Sequence, residues 1–74
     1  MTFSEHLLLL RKAQGLKQIE LAEKIGINWR TYQTYERGEH EPPLSMLISL
    51  ADYYKMSLDE LVCREWPPAK GLQR

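Results

Sequence analysis

The segment from Gln18 to Gly38, QIELAEKIGINWRTYQTYERG, constrains the fold more than any other part of the 74-residue chain. It contains two stretches of apolar residues at helical spacing, with Gly26 between them. A glycine directly after the apolar Ile25 indicates a sharp turn, because only glycine adopts positive φ without steric cost. The segment therefore predicts two short helices joined by a tight turn.

Helix-start and helix-end signals recur along the rest of the chain. Thr2 with Glu5 and Ser57 with Glu60 have the spacing of capping boxes, and Asn28 suits the N-cap of a central helix. No alternating strand pattern competes with these signals. We therefore predict an all-α fold, a compact domain of five helices over about 3–14, 18–25, 29–37, 44–54 and 58–64, with helices two and three forming a helix-turn-helix.

The hydrophobic spacing within these helices identifies a candidate core. In the third helix, Tyr32 and Tyr35 are spaced to face inward, which leaves its other face polar and basic. The other residues predicted to face inward are Phe3, Leu7 and Leu10 in the first helix and Leu47, Leu50, Ala51 and Tyr54 in the fourth. The side chains predicted to face outward from the third helix are Trp29, Arg30, Gln33 and Thr34.

Length and composition exclude several classes of protein. A chain of 74 residues has room for one domain and none for a separate catalytic domain. Cys63 is the single cysteine, which excludes an internal disulfide framework, and no catalytic constellation is recognisable. His6 and His40 lack a second ligand at metal spacing. We expect a cytoplasmic protein that is not an enzyme, with no cofactor, metal or membrane span.

The formal net charge is zero, but the charges are distributed unevenly. Residues 11–37 contain six basic and three acidic side chains, whereas residues 38–65 contain two basic and six acidic ones. The basic half therefore coincides with the predicted helix-turn-helix. A rigid helix that presents polar and basic side chains from such a motif is typical of proteins that bind the major groove of DNA.

One set of residues forms a recognisable pattern along the chain: Gln18, Leu21, Ala22, Gly26, Glu36, Arg37, Gly38, Pro42, Leu47, Leu50, Ala51 and the segment from Ser57 to Leu61. In these residues the chain resembles the Xre/Cro-type helix-turn-helix family of small phage and bacterial regulators. The resemblance covers residues 3–62, nearly the whole chain, and implies a repressor-like DNA-binding domain over residues 1–66. Residues 67–74 contain too few apolar side chains to fold alone, so we expect a flexible C-terminal tail there.

This resemblance also implies the roles of individual side chains, with the third helix lying in the major groove. It assigns base contacts to Trp29, Arg30, Gln33 and Thr34. It assigns phosphate contacts to Lys17, Gln18, Thr31 and Arg37. Arg11 and Glu36 resemble the family's structural ion pair. Trp29 departs from the family pattern, which usually has a small or hydrogen-bonding residue at that position.

The function implied is sequence-specific binding of double-stranded DNA by a transcriptional regulator, a repressor that acts as a homodimer on a two-fold symmetric operator. Two alternatives stay open: a protein-interaction module that keeps the fold without base-specific DNA binding, and the DNA-binding antitoxin of a toxin-antitoxin pair. Trp29 contacts either DNA or a neighbouring helix or protein partner. Trp66 either covers the domain's own core or lies in a dimer interface.

Overall fold

The computed structural model describes residues 1–64 of the chain. This range contains no strand, and its five helices are α1 (Phe3–Ala13), α2 (Gln18–Ile25), α3 (Trp29–Arg37), α4 (Leu44–Tyr54) and α5 (Leu58–Leu61). The all-α prediction is confirmed. The predictions about Trp66 and about a tail over residues 67–74 lie outside the described residues.

Side-chain caps determine where several helices begin. Thr2 and Glu5 form a reciprocal capping box, in which the Thr2 amide donates to Glu5 Oε1 at 2.9 Å and the Glu5 amide donates to Thr2 Oγ1 at 3.2 Å. Ser57 and Glu60 make the same pair of bonds at 3.0 and 3.1 Å. The Asn28 side chain accepts from the second amide of α3 at 2.7 Å. The predicted starts of these helices are confirmed, because a cap depends only on residues close in sequence.

The turn between α2 and α3 is formed at Gly26, as predicted. Its φ is 79°, in the left-handed region, and its amide donates to the Ala22 carbonyl at 2.9 Å. Gly38 ends α3 in the same conformation, with φ of 74°. Two glycines in the left-handed conformation therefore set both the beginning and the end of the segment that contains α3.

Helix α5 is shorter than predicted. The sequence indicated a helix to about Arg64, but α5 ends at Leu61. The chain leaves the helix because Cys63 has φ of 63°, a left-handed conformation that terminates helices. The Arg64 amide then donates to the Asp59 carbonyl at 2.8 Å, which closes the helix end. This ending carries no glycine, so no local sequence signal marks it.

All five helices contribute to one hydrophobic core. Its buried residues are Leu7, Leu21, Ala22, Tyr32, Tyr35, Leu50, Ala51 and Leu61. Phe3, Leu10, Leu47 and Tyr54 are partly buried against this core. Helix α3 packs against both α1 and α2, which positions it on the scaffold. Within the described range, no helix has the length and apolar content needed to cross a membrane.

Candidate nucleic-acid interface

Helix α3 has one buried face and one accessible face. Tyr32 and Tyr35 lie in the core with exposed fractions of 0% and 6%. Trp29, Arg30 and Thr31 are exposed at the other side of the helix. This division follows the predicted spacing of the tyrosines, and it leaves the first turn of α3 accessible to a binding partner.

A buried ion pair attaches the end of α3 to α1. Arg11 Nε lies 2.6 Å from Glu36 Oε2, and the two side chains are 12% and 4% exposed. A second bond joins Arg11 Nη2 to Glu36 Oε1 at 3.1 Å, so the pair is bidentate. Arg11 Nη1 also donates to the Leu16 carbonyl at 2.7 Å, in the connection between α1 and α2. The ion pair implied by the resemblance is therefore present, and it joins three parts of the fold.

Glu36 accepts further hydrogen bonds from two other side chains. The Tyr32 hydroxyl donates to Oε2 at 2.5 Å, and Gln18 Nε2 donates to Oε1 at 2.9 Å. Burial by itself would raise the pKa of Glu36, but the bonds from Arg11, Tyr32 and Gln18 outweigh it, and the pKa lies below its usual value. The bond to Glu36 raises the pKa of Arg11. Burial, together with the bond to Glu36, raises the pKa of Tyr32. Glu36 is therefore ionised near neutral pH.

Gln18 connects this buried cluster to the accessible side of α3. While its Nε2 donates to Glu36, its Oε1 accepts from Gln33 Nε2 at 3.3 Å. Both glutamines are partly buried. The sequence prediction placed Gln18 among the phosphate contacts and Gln33 among the base contacts, and gave no indication that the two side chains touch. The two residues lie one helix and one turn apart in the sequence, so no local sequence pattern indicates this contact.

Trp29 and Arg30 interact with each other at the start of α3. The Arg30 guanidinium carbon lies 6.0 Å from the centroid of the Trp29 ring, at the outer limit of a cation–π interaction. The Trp29 side chain is 36% exposed. The two residues therefore form a joint surface of ring and guanidinium at the accessible end of the helix. From the sequence, the two residues were predicted as separate contacts.

The remaining predicted contacts lie around this surface. Thr31 is exposed, and its carbonyl accepts a bond from the Thr34 hydroxyl at 2.7 Å, which commits that hydroxyl hydrogen to the helix itself. Lys17 is exposed immediately before α2. Arg37 lies 3.9 Å from Glu39, and both side chains are more than half exposed. At that distance and exposure the pair is weak, so Arg37 can exchange Glu39 for another anion.

Two residues beside α3 were not predicted as part of the site. His40 and Glu41, in the connection between α3 and α4, line a shallow depression together with Arg30, Thr31, Thr34 and Tyr35. The prolines at positions 42 and 43 indicated a loop there, but not that it returns alongside the helix. Glu41 thus brings a carboxylate to the depression that Arg30 also lines, which bears on which partners this surface accepts. Among residues 1–64 no group of three His, Cys, Asp or Glu side chains could hold a metal ion.

Comparison with known proteins agrees with this architecture. A family described as helix-turn-helix matches residues 7–61. The chain is 39% identical over 66 residues to the cryptic phage CTXphi transcriptional repressor RstR of Vibrio cholerae, covering 89% of this chain and 58% of that protein. It is 33% identical over 49 residues to repressor protein C of Escherichia phage P2, covering 66% of this chain and 50% of that protein.

Among solved structures, the chain is similar to a transcriptional regulator from Listeria innocua. The TM-score is 0.77 at 38% identity, and the match covers 92% of this chain and 66% of that one. The chain thus spans about half the length of the curated relatives it matches. These relatives are named as repressors and regulators, not as enzymes. The extent of the family match, together with the helix-turn-helix geometry, shows that this chain belongs to the Xre-type helix-turn-helix family.

Proposed function

We propose that this chain is a sequence-specific DNA-binding transcriptional regulator that inserts α3 into the major groove. One observation carries the proposal: α3 is held from behind by the buried Arg11–Glu36 pair while its first turn stays accessible. A helix used to recognise bases must be rigid, because each bond to a base edge depends on the position of its donor or acceptor. The names of the relatives, which are repressors and regulators, support the same function.

The base contacts are Trp29, Arg30, Gln33 and Thr34. Arg30 is the principal one, since a guanidinium can donate to both O6 and N7 of guanine, the commonest specific contact in the major groove. The Trp29 ring centroid lies 6.0 Å from the Arg30 guanidinium carbon, so the two side chains share one accessible surface. Trp29 itself offers an apolar surface suited to the methyl group of thymine.

The phosphate contacts are Lys17, Gln18, Thr31 and Arg37. Lys17 and Gln18 lie where α2 begins, and the backbone amides at a helix N-terminus attract anions. Arg37 lies at the opposite end of α3 from Trp29. Contacts on both sides of the groove would set the depth and the direction at which α3 enters it.

The regulator acts as a homodimeric repressor on a two-fold symmetric operator. One helix of this length contacts only a few base pairs, so a single domain has modest affinity and specificity. Two copies that bind half-sites about one helical turn apart, roughly 34 Å, would combine their affinities.

The proposal is tested by selecting bound duplexes from a random pool with the purified protein. We expect a symmetric consensus, which would report specificity, half-site spacing and dimerisation together. Arg30→Ala should weaken binding to the selected operator by about 1–3 kcal/mol and relax the base preference at one position of each half-site. Lys12→Ala, which removes an exposed charge from α1, is the matched control and should leave the consensus unchanged. Enrichment of no sequence over random duplex would refute the proposal.

A second function, a protein-interaction module, is favoured by one observation. Glu41 and His40 line the same depression next to α3 as Arg30, and a carboxylate there opposes the approach of phosphates. The formal net charge of zero agrees with this alternative. Recovery of a stoichiometric protein partner without DNA, combined with failure of the duplex selection, would support it.

A further inference from the structure

We infer that Gln18 is a positioning residue that orients the side-chain amide of Gln33, so that Gln33 presents to the major groove the donor and acceptor pair that adenine complements. The inference rests on the proposed DNA-binding function and deepens it by naming one base. The carrying observation is the unbroken series of hydrogen bonds that runs from Arg11 through Glu36 and Gln18 to Gln33.

Within this series, Glu36 is a group that can only accept. An ionised carboxylate has no hydrogen to donate, so any side chain bonded to Glu36 must turn a donor toward it. The Glu36 carboxylate is 4% exposed and paired with Arg11, and hydrogen bonds that outweigh its burial lower its pKa. Gln18 lies 2.9 Å from Glu36 Oε1. Its NH₂ group must therefore face the carboxylate, and its carbonyl oxygen must face away.

The same reasoning applies to the next bond. The Gln18 carbonyl oxygen is also only an acceptor, so Gln33 must direct its NH₂ group toward it, across 3.3 Å. A glutamine side chain has two N–H groups and one oxygen. When one N–H is committed to Gln18, one N–H and Oε1 are left for a partner. The charge of the buried Glu36 thus determines the orientation of an amide at the surface.

A side chain with one N–H and one adjacent oxygen complements adenine. In the major groove adenine presents the N7 acceptor and the N6 amino donor, whereas guanine presents two acceptors, N7 and O6. An anchored Gln33 can form both bonds with adenine but only one with guanine. Without Gln18 the amide of Gln33 is free to rotate, and the orientation that pairs with adenine is no longer selected before binding.

The experiment measures binding of the full chain to four versions of the selected operator that differ only at the base pair facing Gln33. In wild type we expect adenine at that base pair to be preferred about 5- to 100-fold over the other bases. The base pair is identified with the Gln33→Met variant, which should abolish this preference. Gln18→Met removes both bonds of Gln18 but leaves Glu36 paired with Arg11 and Tyr32. Gln18→Lys keeps a donor toward Glu36 but offers no acceptor to Gln33.

We expect both Gln18 variants to lower the adenine preference at that position at least about threefold while the preference at the position contacted by Arg30 stays unchanged. The Gln18→Met and Gln33→Met double variant should show no larger loss there than Gln33→Met alone, because both changes remove one interaction. Urea unfolding of each variant confirms that the measured protein is folded. If Gln18 only stabilised the fold, its substitution would also lower the base preference at the position contacted by Arg30. A retained preference at that position therefore distinguishes a positioning role from a structural one.

Three outcomes would overturn the inference. In one, either Gln18 variant weakens binding to all four duplexes equally, which would limit Gln18 to its proposed phosphate contact and leave it no role in orienting Gln33. In another, Gln18→Lys retains the adenine preference in full. In the third, wild type prefers a base other than adenine at the position that Gln33→Met identifies. A wild-type protein without preference for any sequence would instead refute the proposed function itself.

Discussion

At the scale of single residues, Glu36 is the group on which the position of α3 depends most. It accepts four hydrogen bonds from three side chains, Arg11, Tyr32 and Gln18. Removing a carboxylate from water is costly, and it is tolerated where a bidentate cation and further donors satisfy its lone pairs. Removing Arg11 therefore costs more than the net contribution of its bonds, because Glu36 is left buried with an uncompensated charge.

Arg11→Met tests this directly. The substitution leaves Glu36 buried without its cation, and we expect the free energy of unfolding to fall by about 3–5 kcal/mol. Urea denaturation at pH 7 measures the change. Arg37→Met is the matched control: its partner Glu39 lies 3.9 Å away and both are exposed, so the loss should stay below about 1 kcal/mol. Equal losses in the two variants would show that burial of the Arg11 pair does not matter.

The lowered pKa of Glu36 predicts that acid destabilises the protein. Since the folded state holds this pKa below its unfolded value of about 4.3, the unfolded chain binds a proton first as the pH falls. The stability that Glu36 contributes is therefore complete above about pH 5 and is lost progressively at lower pH.

We expect Glu36→Gln to be less stable than wild type at pH 7 and to lose less stability between about pH 6 and pH 3. Urea midpoints across this range measure both effects. Some dependence on pH should persist in the variant, because a backbone hydrogen bond from Thr2 lowers the pKa of Glu5 as well. Wild-type and variant curves that run parallel would mean that Glu36 does not titrate in this range.

At the scale of helices, the ends of α2 and α4 have the same backbone conformation but different residues. Gly26 ends α2 with φ of 79°, and Lys55 ends α4 with φ of 57°. Glycine adopts this conformation freely, whereas a residue with a Cβ is strained. A Cβ at Gly26 would meet no atom within 4 Å, so substitution there would change backbone energy and nothing else.

Substitutions at Gly26 and Lys55 should change the free energy of unfolding in opposite directions. Gly26→Ala should lower the free energy of unfolding by about 1–2 kcal/mol, and Lys55→Gly should raise it by up to about 1 kcal/mol. Thermal or urea unfolding measures each. Stabilisation by both substitutions, or by neither, would contradict the account of the helix ends.

Two neighbouring tyrosines at the end of α4 have different surroundings. The Tyr53 hydroxyl donates to Gln14 Oε1 at 2.8 Å in an exposed position. The Tyr54 hydroxyl is buried and has no hydrogen-bond partner among the described residues. Burial raises the pKa of Tyr54 to about 12, because a phenolate there would be poorly solvated.

Tyr54→Phe should therefore raise the free energy of unfolding, by about 1 kcal/mol, since it removes a buried polar atom that lacks a partner. Tyr53→Phe is the matched control and should lower it by up to about 1 kcal/mol. Urea unfolding of both variants measures the difference. A loss in Tyr54→Phe as large as that in Tyr53→Phe would mean that the Tyr54 hydroxyl has a partner.

At the scale of the whole molecule, the zero net charge hides an asymmetry that bears on DNA affinity. The basic side chains concentrate in residues 11–37, the part of the chain that contains α2 and α3. Because the proposed interface displaces counterions from phosphates, its affinity should fall with salt even though the protein is neutral overall.

Salt dependence identifies the residues that contact phosphate. Lys17→Ala and Arg37→Ala should each reduce the slope of log affinity against log salt by about 1 and leave the base preference unchanged. Lys24→Ala, which removes an exposed charge from the last turn of α2, is the control and should leave the slope as it is. Slopes that are equal in all three variants would exclude Lys17 and Arg37 from the proposed contacts.

The sequence determined the number of helices within residues 1–64, most of their bounds and the two faces of α3. Capping boxes, glycine ends and hydrophobic spacing involve residues a few positions apart, so they can be recognised without knowing the fold. The predicted end of α5 was wrong because Cys63 adopts the left-handed conformation there, which a residue other than glycine seldom does.

Only the tertiary structure decided how the side chains around α3 are connected. The bond between Gln18 and Gln33 joins residues from different elements, and so does the depression that Arg30 lines together with His40 and Glu41. Such contacts depend on how helices cross and how a loop returns, which is the result of packing the whole core. The sequence alone determined which face of α3 is accessible, and packing determined the orientation of the groups on that face.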